Sequence, residues 1–289
     1  MTQQNQITNQ DRAKILVEAV PYIREYLNNI VVIKYGSNAI ANQDLKKKVI
    51  EDIVRLSYLG VRVVLVHSVG PEINALLNNA SKGSKFLAGL KLTDKGTIEY
   101  LQKSLAKKVN KDLVNLLHAN GGKAEGLLGI DDKLIQADIK GEKLSLAGEI
   151  KKINKTPIIE ILKKGCIPVI SSLGCDSMGS ILNVNTNSAA SYIASELRAK
   201  AIVVITNIAG ILREKDDPKT LISKIDLKEA EKLLKENAIP DTLVPKVECY
   251  IEAIDKGVEK VFIVDGRIPH SILLELLTDK GVGTMLVKN

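Results

Sequence analysis

The chain of 289 residues is long enough to bury the core of one large domain or of two smaller ones. Hydrophobic residues make up 45% of it and charged residues 26%, which is typical of a globular protein that dissolves in water. The net charge of +7 does not indicate a nucleic-acid partner, because only 7 of the 41 basic residues are arginines and there is no tryptophan to stack on bases. No apolar run approaches the roughly 20 residues of a membrane span, so we expect no membrane contact.

The cysteines and the N-terminus indicate the compartment. Cys166, Cys175 and Cys249 have no paired spacing, and their odd number favours reduced thiols. The first ten residues are polar and show neither signal-peptide nor transit-peptide features. Abundant lysine, isoleucine and asparagine with little arginine indicate an AT-rich gene. These features predict a bacterial cytoplasm, or a chloroplast or other plastid whose own genome encodes the protein.

The first predicted element is an amphipathic helix over Asp11–Asn28. Its apolar residues recur at helical spacing, and they are Ile15, Leu16, Ala19, Ile23 and Leu27. A helix ahead of the first strand is not needed to complete a sheet. We therefore predict residues 1–28 as an oligomerisation helix, with packing on its own domain as the alternative.

Two strand–helix units follow. The β-branched run Val31–Tyr35 ends in a lysine and a glycine turn before a helix over Ile40–Leu59, and the run Val61–His67 precedes a helix over Glu72–Asn79. Consecutive units of this kind form a parallel sheet, whose ligands bind at the carboxyl ends of the strands. Lys34 lies at such an end, where it could meet a phosphate, although a lone lysine there is more often a solvated strand end.

The remaining pattern continues the α/β alternation. Short strand candidates, interpreted as hairpins at one edge of the sheet, precede a glycine-bearing connection over Leu173–Ser180 that we take as the domain boundary. The other predicted elements are helices over Thr97–Asn120, Ile158–Lys164, Ser188–Leu197, Leu227–Asn237, Pro245–Lys256 and Pro269–Leu277, and strands over Ala124–Leu128, Leu134–Asp138, Gly148–Ile153, Ile167–Ser171, Ala201–Thr206, Val258–Val264 and Thr284–Val287.

A collinear set of motifs indicates a family. The motifs are V-I-K-Y-G, V-H-x-x-G-P-E-I, G-L-K-L-T-D, I-P-V-I, N-V-N, I-T-N-I-A-G-I-L, P-K-V and D-G-R-I-P-H, in this order. Over nearly its whole length the chain resembles the amino acid kinase family, and within it the acetylglutamate kinases. The resemblance implies a three-layer α/β/α sandwich with a mainly parallel central sheet. It implies that residues 29–178 bind N-acetyl-L-glutamate and residues 179–289 bind ATP with Mg²⁺, for a phosphoryl transfer that belongs to arginine biosynthesis.

The resemblance also assigns site residues. Lys34 and Lys246 match the family's two transition-state stabilisers, and Asn187 occupies the position that organises them. The implied substrate-binding residues are Ser68, Val69, Lys91 and Asn183, and the implied nucleotide-binding residues are Gly36, Ser37, Asn207 and Gly210. No metal ligands from the protein are implied. His67 and His270 could each be a packing or a ligand-contacting histidine.

Several positions depart from the family pattern. Ser37, Ser68 and Val69 replace glycines, Lys91 replaces an arginine, and aspartates are replaced by Asn187 and Asn207. Two hypotheses remain open on these residues: an acetylglutamate kinase whose activity is weakened, and a catalytically impaired paralogue that serves assembly or regulation. A nicotinamide-dependent enzyme is a distant third, because no G-x-G-x-x-G follows any strand.

The last expectation concerns assembly and regulation, and it depends on the N-terminal helix and the C-terminal tail. Family members with such a helix are arginine-inhibited hexamers, and those of plastids bind the PII signalling protein. The segment Asp11–Asn28 and the tail from Asp265 to Thr284 match the parts concerned. The resemblance therefore implies a homohexamer, arginine as effector and PII as a possible partner.

Overall fold

The computed structural model describes residues 8–36, 43–68, 86–87, 90–91, 95–139, 147–214, 217–236, 238–240 and 243–288. Within these ranges the helices, numbered along the chain, are α1 (Asn9–Tyr26), α2 (Gln43–Tyr58), α3 (Lys95–Ala119), α4 (Thr156–Lys163), α5 (Thr186–Glu196), α6 (Leu227–Lys235), α7 (Val244–Asp255) and α8 (Ser271–Leu277). In these same ranges no helix is both long enough and apolar enough to cross a bilayer.

The strands of the same ranges are β1 (Ile30–Tyr35), β2 (Arg62–His67), β3 (Phe86–Leu87), β4 (Leu90–Lys91), β5 (Ala124–Leu128), β6 (Ile135–Ile139), β7 (Ala147–Ile153), β8 (Ile167–Ser171), β9 (Leu173–Cys175), β10 (Ile181–Val184), β11 (Ala201–Thr206), β12 (Lys224–Asp226), β13 (Lys260–Asp265) and β14 (Thr284–Val287). The predicted helix over Glu72–Asn79 lies outside the described residues.

One eight-stranded sheet forms the centre of the molecule, in the order β12-β14-β13-β11-β1-β2-β8-β5. The six strands from β13 to β5 are parallel, whereas β14 pairs antiparallel with β13 and parallel with β12. Because β1, β2, β8, β11 and β13 are buried on both faces, they consist of nearly continuous apolar residues. The prediction of a mainly parallel α/β sheet is confirmed.

Helices cover both faces of this sheet. Val31, Ile33 and Tyr35 of β1 belong to the core shared with α2, α3 and α8. Val32, which points the opposite way, belongs to the core shared with α4, α5 and α7. The predicted three-layer α/β/α architecture is therefore confirmed, and Lys34 lies on the same side of β1 as Val32, toward α5 and α7.

A second, smaller sheet was not predicted. Strands β6, β7, β9 and β10 close into a four-stranded barrel, with β6 antiparallel to β7 and β9 antiparallel to β10. The expectation of hairpins at one edge of the main sheet is wrong for Leu134–Asp138 and Gly148–Ile153, which are barrel strands. It is also wrong for Ala124–Leu128, which is the edge strand of the main sheet, parallel to β8. The connection Leu173–Ser180 contains β9 and the turn into β10.

Helix boundaries differ from the prediction where capping side chains decide them. Helix α5 begins at Thr186 and not at Ser188, because the side chain of Asn185 accepts hydrogen bonds from the backbone N–H groups of Asn187 and Ser188. Helix α1 is capped by Thr8, whose hydroxyl accepts from the Asp11 N–H while the Asp11 carboxylate accepts from the Thr8 N–H. Each cap lies three residues ahead of the start that the sequence pattern predicted for its helix.

A buried carboxylate joins α2 to the start of α8. Asp52 is fully buried, and its carboxylate oxygen lies 2.5 Å from Nδ1 of His270 and 3.7 Å from a guanidinium nitrogen of Arg55. The short contact to a carboxylate makes Nδ1 of His270 the donor. Burial raises the pKa of Asp52, and His270 and Arg55 oppose that rise. His270 is therefore a packing residue in this structure, with left-handed backbone (φ 58°) at the N-cap of α8.

We predict that His270→Ala lowers the free energy of unfolding by about 2 kcal/mol, because Asp52 loses its closest partner and stays buried. Adding Asp52→Asn to His270→Ala should recover part of this loss, since a neutral amide needs no counter-charge. Urea unfolding of the wild type, both single variants and the double variant measures the coupling. Additive losses in the double variant would contradict the pairing.

Candidate functional site

The carboxyl ends of three central strands meet at one edge of the sheet. Lys34 of β1 lies opposite Val66 of β2 and Val204 of β11, so the residues that follow these strands are neighbours. They are Tyr35 and Gly36 after Lys34, His67 at the end of β2 with Ser68 after it, and Thr206 at the end of β11 with Asn207 after it. In open α/β sheets this edge is where ligands bind.

The structure brings Lys34 and Lys246 close to each other above this edge. Lys34 projects from β1 toward the layer of α5 and α7, and Lys246 lies in the first turn of α7. Burial, and to a smaller extent the positive charge of Lys246, lowers the pKa of Lys34 to about 8. An anion bound between the two side chains would favour the protonated form of Lys34.

Asn187 lies in the first turn of α5, and α7 fixes its side chain. The Tyr250 hydroxyl donates to Oδ1 of Asn187 across 3.2 Å, and the backbone N–H of Asn187 donates to the side chain of Asn185. Tyr250 is one helical turn after Lys246 on the same face of α7. Lys34, Lys246 and Asn187 therefore come from three elements, β1, α7 and α5, that pack against one another.

Ser172 joins the main sheet, the barrel and α5. Its N–H donates to the His67 carbonyl at the end of β2, and its carbonyl accepts from the Val184 N–H at the end of β10. Its hydroxyl lies 3.0 Å from the hydroxyl of Thr186, in the first turn of α5. This residue, 1% exposed, fixes β10, which carries the half-buried Asn183, next to the end of β2. The sequence reasoning missed Ser172, because a serine after an apolar run carries no signal of its own.

His67 is a packing histidine. Its Nδ1–H donates to the Ser68 carbonyl across 2.8 Å, which leaves Nε2 as an acceptor 3.0 Å from the side-chain nitrogen of Asn110. The same nitrogen donates to the carbonyls of Leu127 and Val169. Burial lowers the pKa of His67 to about 4, so the ring is neutral at physiological pH. Asn110 of α3, which the sequence reasoning also missed, thus ties together the ends of β2, β5 and β8.

The residues predicted to bind the nucleotide follow β11. The Thr206 hydroxyl accepts from the Ile208 N–H, and its carbonyl accepts from the Gly266 N–H, so the turns after β11 and β13 are joined. Asn207 is exposed at this turn. Gly210 has φ 149° and lies against β14, where a Cβ atom would collide with the Thr284 hydroxyl. Packing against β14 therefore requires a glycine at position 210, whether or not a nucleotide binds there.

Some predicted residues cannot be placed. Ser37 and Val69 lie outside the described residues, as does the side chain of Lys91, whose backbone is part of β4. Gly36 directly follows β1 and is half-buried. Among the described residues no group of three or more histidine, cysteine or acidic side chains is arranged to hold a metal ion. The three cysteines are free thiols, as expected.

We predict that Lys34 reacts with an amine-specific reagent with a midpoint near pH 8, since the neutral amine is the reactive form. Labelling at a series of pH values, followed by peptide mapping, measures this midpoint. In Lys246→Gln the midpoint should move to higher pH, because this substitution removes the positive charge of Lys246, one of the two causes of the lowered pKa of Lys34. A midpoint at the usual lysine value in the wild type would contradict the burial of Lys34 beside Lys246.

The comparisons with known proteins agree with this geometry. Residues 29–265 match the amino acid kinase family. A protein of Clostridioides difficile (strain 630) named acetylglutamate kinase is 45% identical over 281 residues, which cover 97% of this chain and 98% of that protein.

Solved structures give the same result for the fold. The N-acetylglutamate synthase from Neisseria gonorrhoeae, complexed with coenzyme A and N-acetyl-glutamate, matches 96% of this chain with a TM-score of 0.80 and 26% identity. This chain spans 63% of that synthase chain. The synthase complexed with coenzyme A and L-arginine matches with a TM-score of 0.77 and 25% identity. The resemblance seen in the motifs is confirmed: the chain belongs to the amino acid kinase family, and within it to the acetylglutamate kinases, which are phosphotransferases.

Proposed function

We propose that this protein transfers the γ-phosphoryl group of ATP to the side-chain carboxylate of N-acetyl-L-glutamate. The convergence of Lys34 and Lys246 at the carboxyl edge of the sheet is the observation that carries the proposal. Two ammonium groups that face each other are suited to a transferring phosphoryl group, whose negative charge is spread over its oxygens. The near full-length similarity to proteins named acetylglutamate kinase supports the choice of acceptor.

The reaction needs charge and alignment more than acid–base chemistry. The acceptor carboxylate has a pKa of about 4.3 and is already ionised at neutral pH, so no general base is required. One of its oxygens attacks the γ-phosphorus, the bond from phosphorus to the ADP oxygen breaks, and an acyl phosphate and ADP result. The role of Lys34 and Lys246 is to offset the repulsion between two anionic substrates and to hold them in line.

The two substrates approach from the two halves of the chain in this proposal. N-acetyl-L-glutamate lies on residues 29–178, with Ser68, Val69, Lys91 and the neighbouring Asn183 at its site. ATP lies on residues 179–289 with Asn207 and Gly210, and Gly36 and Ser37 complete its phosphate site. Mg²⁺ enters as part of the substrate complex, bound to the ATP phosphates.

The comparisons give no support to the weakened or regulatory alternative, and we propose an active kinase. The replacements at Ser68, Lys91, Asn187 and Asn207 are then compensated within this site. The Clostridioides relative is bacterial, which favours the bacterial cytoplasm over a plastid as the proposed location. Binding of PII stays a prediction from the resemblance.

We expect the purified protein to form an acyl phosphate from ATP and N-acetyl-L-glutamate, which hydroxylamine traps as the hydroxamate. Lys34→Ala and Lys246→Ala should each lower kcat by about 100-fold or more, because each removes a charge from the transferring group. Lys256→Ala is the matched control, since Lys256 pairs with Glu252 at the far end of α7. Wild-type turnover that survives both substitutions would refute the assignment.

The proposal includes arginine as an effector, bound between α1 and the C-terminal tail. A cavity of about 360 Å³ lies there, lined by Tyr22 and Tyr26 of α1 and by Glu275 and Asp279 of the tail. Glu275 is buried, and one of its oxygens accepts from the backbone N–H groups of Val282 and Gly283. Lys224 and Lys260 also line the cavity, and Lys260 is paired with Glu25. The remaining acidic and aromatic side chains suit a guanidinium group. The arginine complex of the related synthase is consistent with this choice.

Arginine should raise the melting temperature of the full-length protein by about 5 °C at a concentration of 100 Kd. Citrulline, which has nearly the same shape without the charge, should give no shift. Differential scanning calorimetry with each ligand makes the comparison. An equal response to both compounds, or to neither, would rule out an arginine site.

The same helix supports a hexamer in this proposal. Ile15, Leu16, Val17 and Val20 are 55% to 71% exposed, whereas Tyr26 at the end of α1 is buried in the core. A cluster of exposed apolar side chains on one helix is typical of a protein–protein contact. A second copy of α1, docked on this face, would cover it and interlace two dimers.

Leu16→Asp combined with Val20→Asp should convert a hexamer into dimers, because the substitution places charges in the proposed contact. Met178→Asp is the control, since Met178 is 91% exposed in a barrel turn away from α1. Light scattering coupled to size-exclusion chromatography determines the assembly. A wild-type monomer or dimer, or a hexamer that persists in the double variant, would contradict the proposal.

A further inference from the structure

We propose that the Tyr250 hydroxyl fixes the side-chain amide of Asn187 so that its NH₂ group faces the phosphoryl site. Asn187 then donates a hydrogen bond to the transferring phosphoryl group, and Tyr250 is the positioning residue that makes it a donor. This inference rests on the proposed kinase function and specifies a part of its site that the two lysines do not supply.

The hydrogen bond between the two side chains sets the orientation of the amide. Tyr250 is 1% exposed, and its hydroxyl lies 3.2 Å from Oδ1 of Asn187. A buried hydroxyl hydrogen without an acceptor is costly, so Tyr250 donates and the amide offers its oxygen. The opposite orientation would place NH₂ against the hydroxyl and leave the hydroxyl hydrogen unbonded. With Oδ1 occupied, the NH₂ group points away from Tyr250.

The residues around Asn187 indicate which groups its NH₂ group faces. Tyr250 and Lys246 lie one turn apart on α7, and Lys34 reaches the same space from β1. Asn187 is half-buried in the first turn of α5, the positive end of the helix dipole. The NH₂ group therefore faces the position at which Lys34 and Lys246 would hold a phosphoryl group.

Among the residues that the structure describes, the groups beside Lys34 include no carboxylate. The strand ends on either side of it carry neutral side chains, His67 at the end of β2 and Thr206 at the end of β11 with Asn207 after it, and α5 begins with Thr186 and Asn187. The lowered pKa of Lys34, which burial and Lys246 cause, agrees with this absence of compensating charge. In such a site an amide donor adds to the attraction for a phosphate, whereas an amide oxygen would offset it.

Tyr250→Phe is the direct test, because it removes only the hydroxyl. Without that donor the amide can rotate and turn Oδ1 toward the lysines. We expect kcat to fall about tenfold while the KM values for ATP and N-acetyl-L-glutamate change less than twofold. We also expect the alkaline limb of kcat/KM for ATP to move to higher pH, because an oxygen beside Lys34 stabilises its protonated form. Loss of packing alone would not move this limb upward.

Tyr192→Phe is the matched control, since that hydroxyl reaches Glu252 on the exposed side of α5 and α7. Asn187→Ala should lower kcat as much as Tyr250→Phe, and the double variant should be no slower than Asn187→Ala, because both remove the same donor. Independent, additive losses would refute the inference, as would a Tyr250→Phe enzyme as active as Tyr192→Phe. If the wild type forms no acyl phosphate, the proposed function fails and this inference fails with it.

Discussion

Repulsion between two half-buried lysine side chains is the constraint on which the account depends. Lys34 extends from a strand that is buried on both faces, and Lys246 reaches it from the start of a helix in the adjacent layer. The ammonium group of Lys34 would be more stable in water, yet the sheet and α7 hold it close to Lys246. The free energy that this arrangement costs in the empty site becomes attraction when a phosphate enters.

Neutral side chains fix the backbone around Lys34 and Lys246 through hydrogen bonds. Ser172 bonds the end of β2 to α5 and to the barrel. Asn110 joins the ends of β2, β5 and β8, and its hydrogen bonds to His67 and to the Val169 carbonyl are buried. His67 is part of this network as a neutral ring. Rigid backbone at the strand ends is what an enzyme needs when its chemistry consists of alignment and electrostatics. Asn187 and Tyr250 are held in the same way, because a hydrogen bond between neutral groups, not an ion pair, sets their relative position.

The sequence predicted the parts of the fold that have long patterns. The β-branched run before Lys34 and the run before His67 are strands because such residues pack on both faces of a parallel sheet. The barrel was missed because β9 and β10 have only 3 and 4 residues, too few to show a period.

The sequence did not show which side chains lie next to each other in the folded protein. Lys34 and Lys246 were identified from their motifs, but the contact between them depends on tertiary packing that no spacing shows. Tyr250 has the same pattern as a core aromatic on an apolar helix face, and only the position of its hydroxyl distinguishes it. Asn110 likewise resembles a solvent-facing residue among the lysines of α3, although it is 6% exposed.

Proton uptake on nucleotide binding tests the central claim most directly. With a pKa of about 8, Lys34 is half deprotonated at pH 8, and a phosphate beside it should restore the missing proton. Titration calorimetry of a non-hydrolysable ATP analogue with Mg²⁺, in buffers of different ionisation enthalpy, measures that uptake. We predict about half a proton per site at pH 8 in the wild type and none in Lys34→Met. Binding without proton uptake, or the same uptake in both proteins, would contradict the placement of Lys34 at the phosphoryl group.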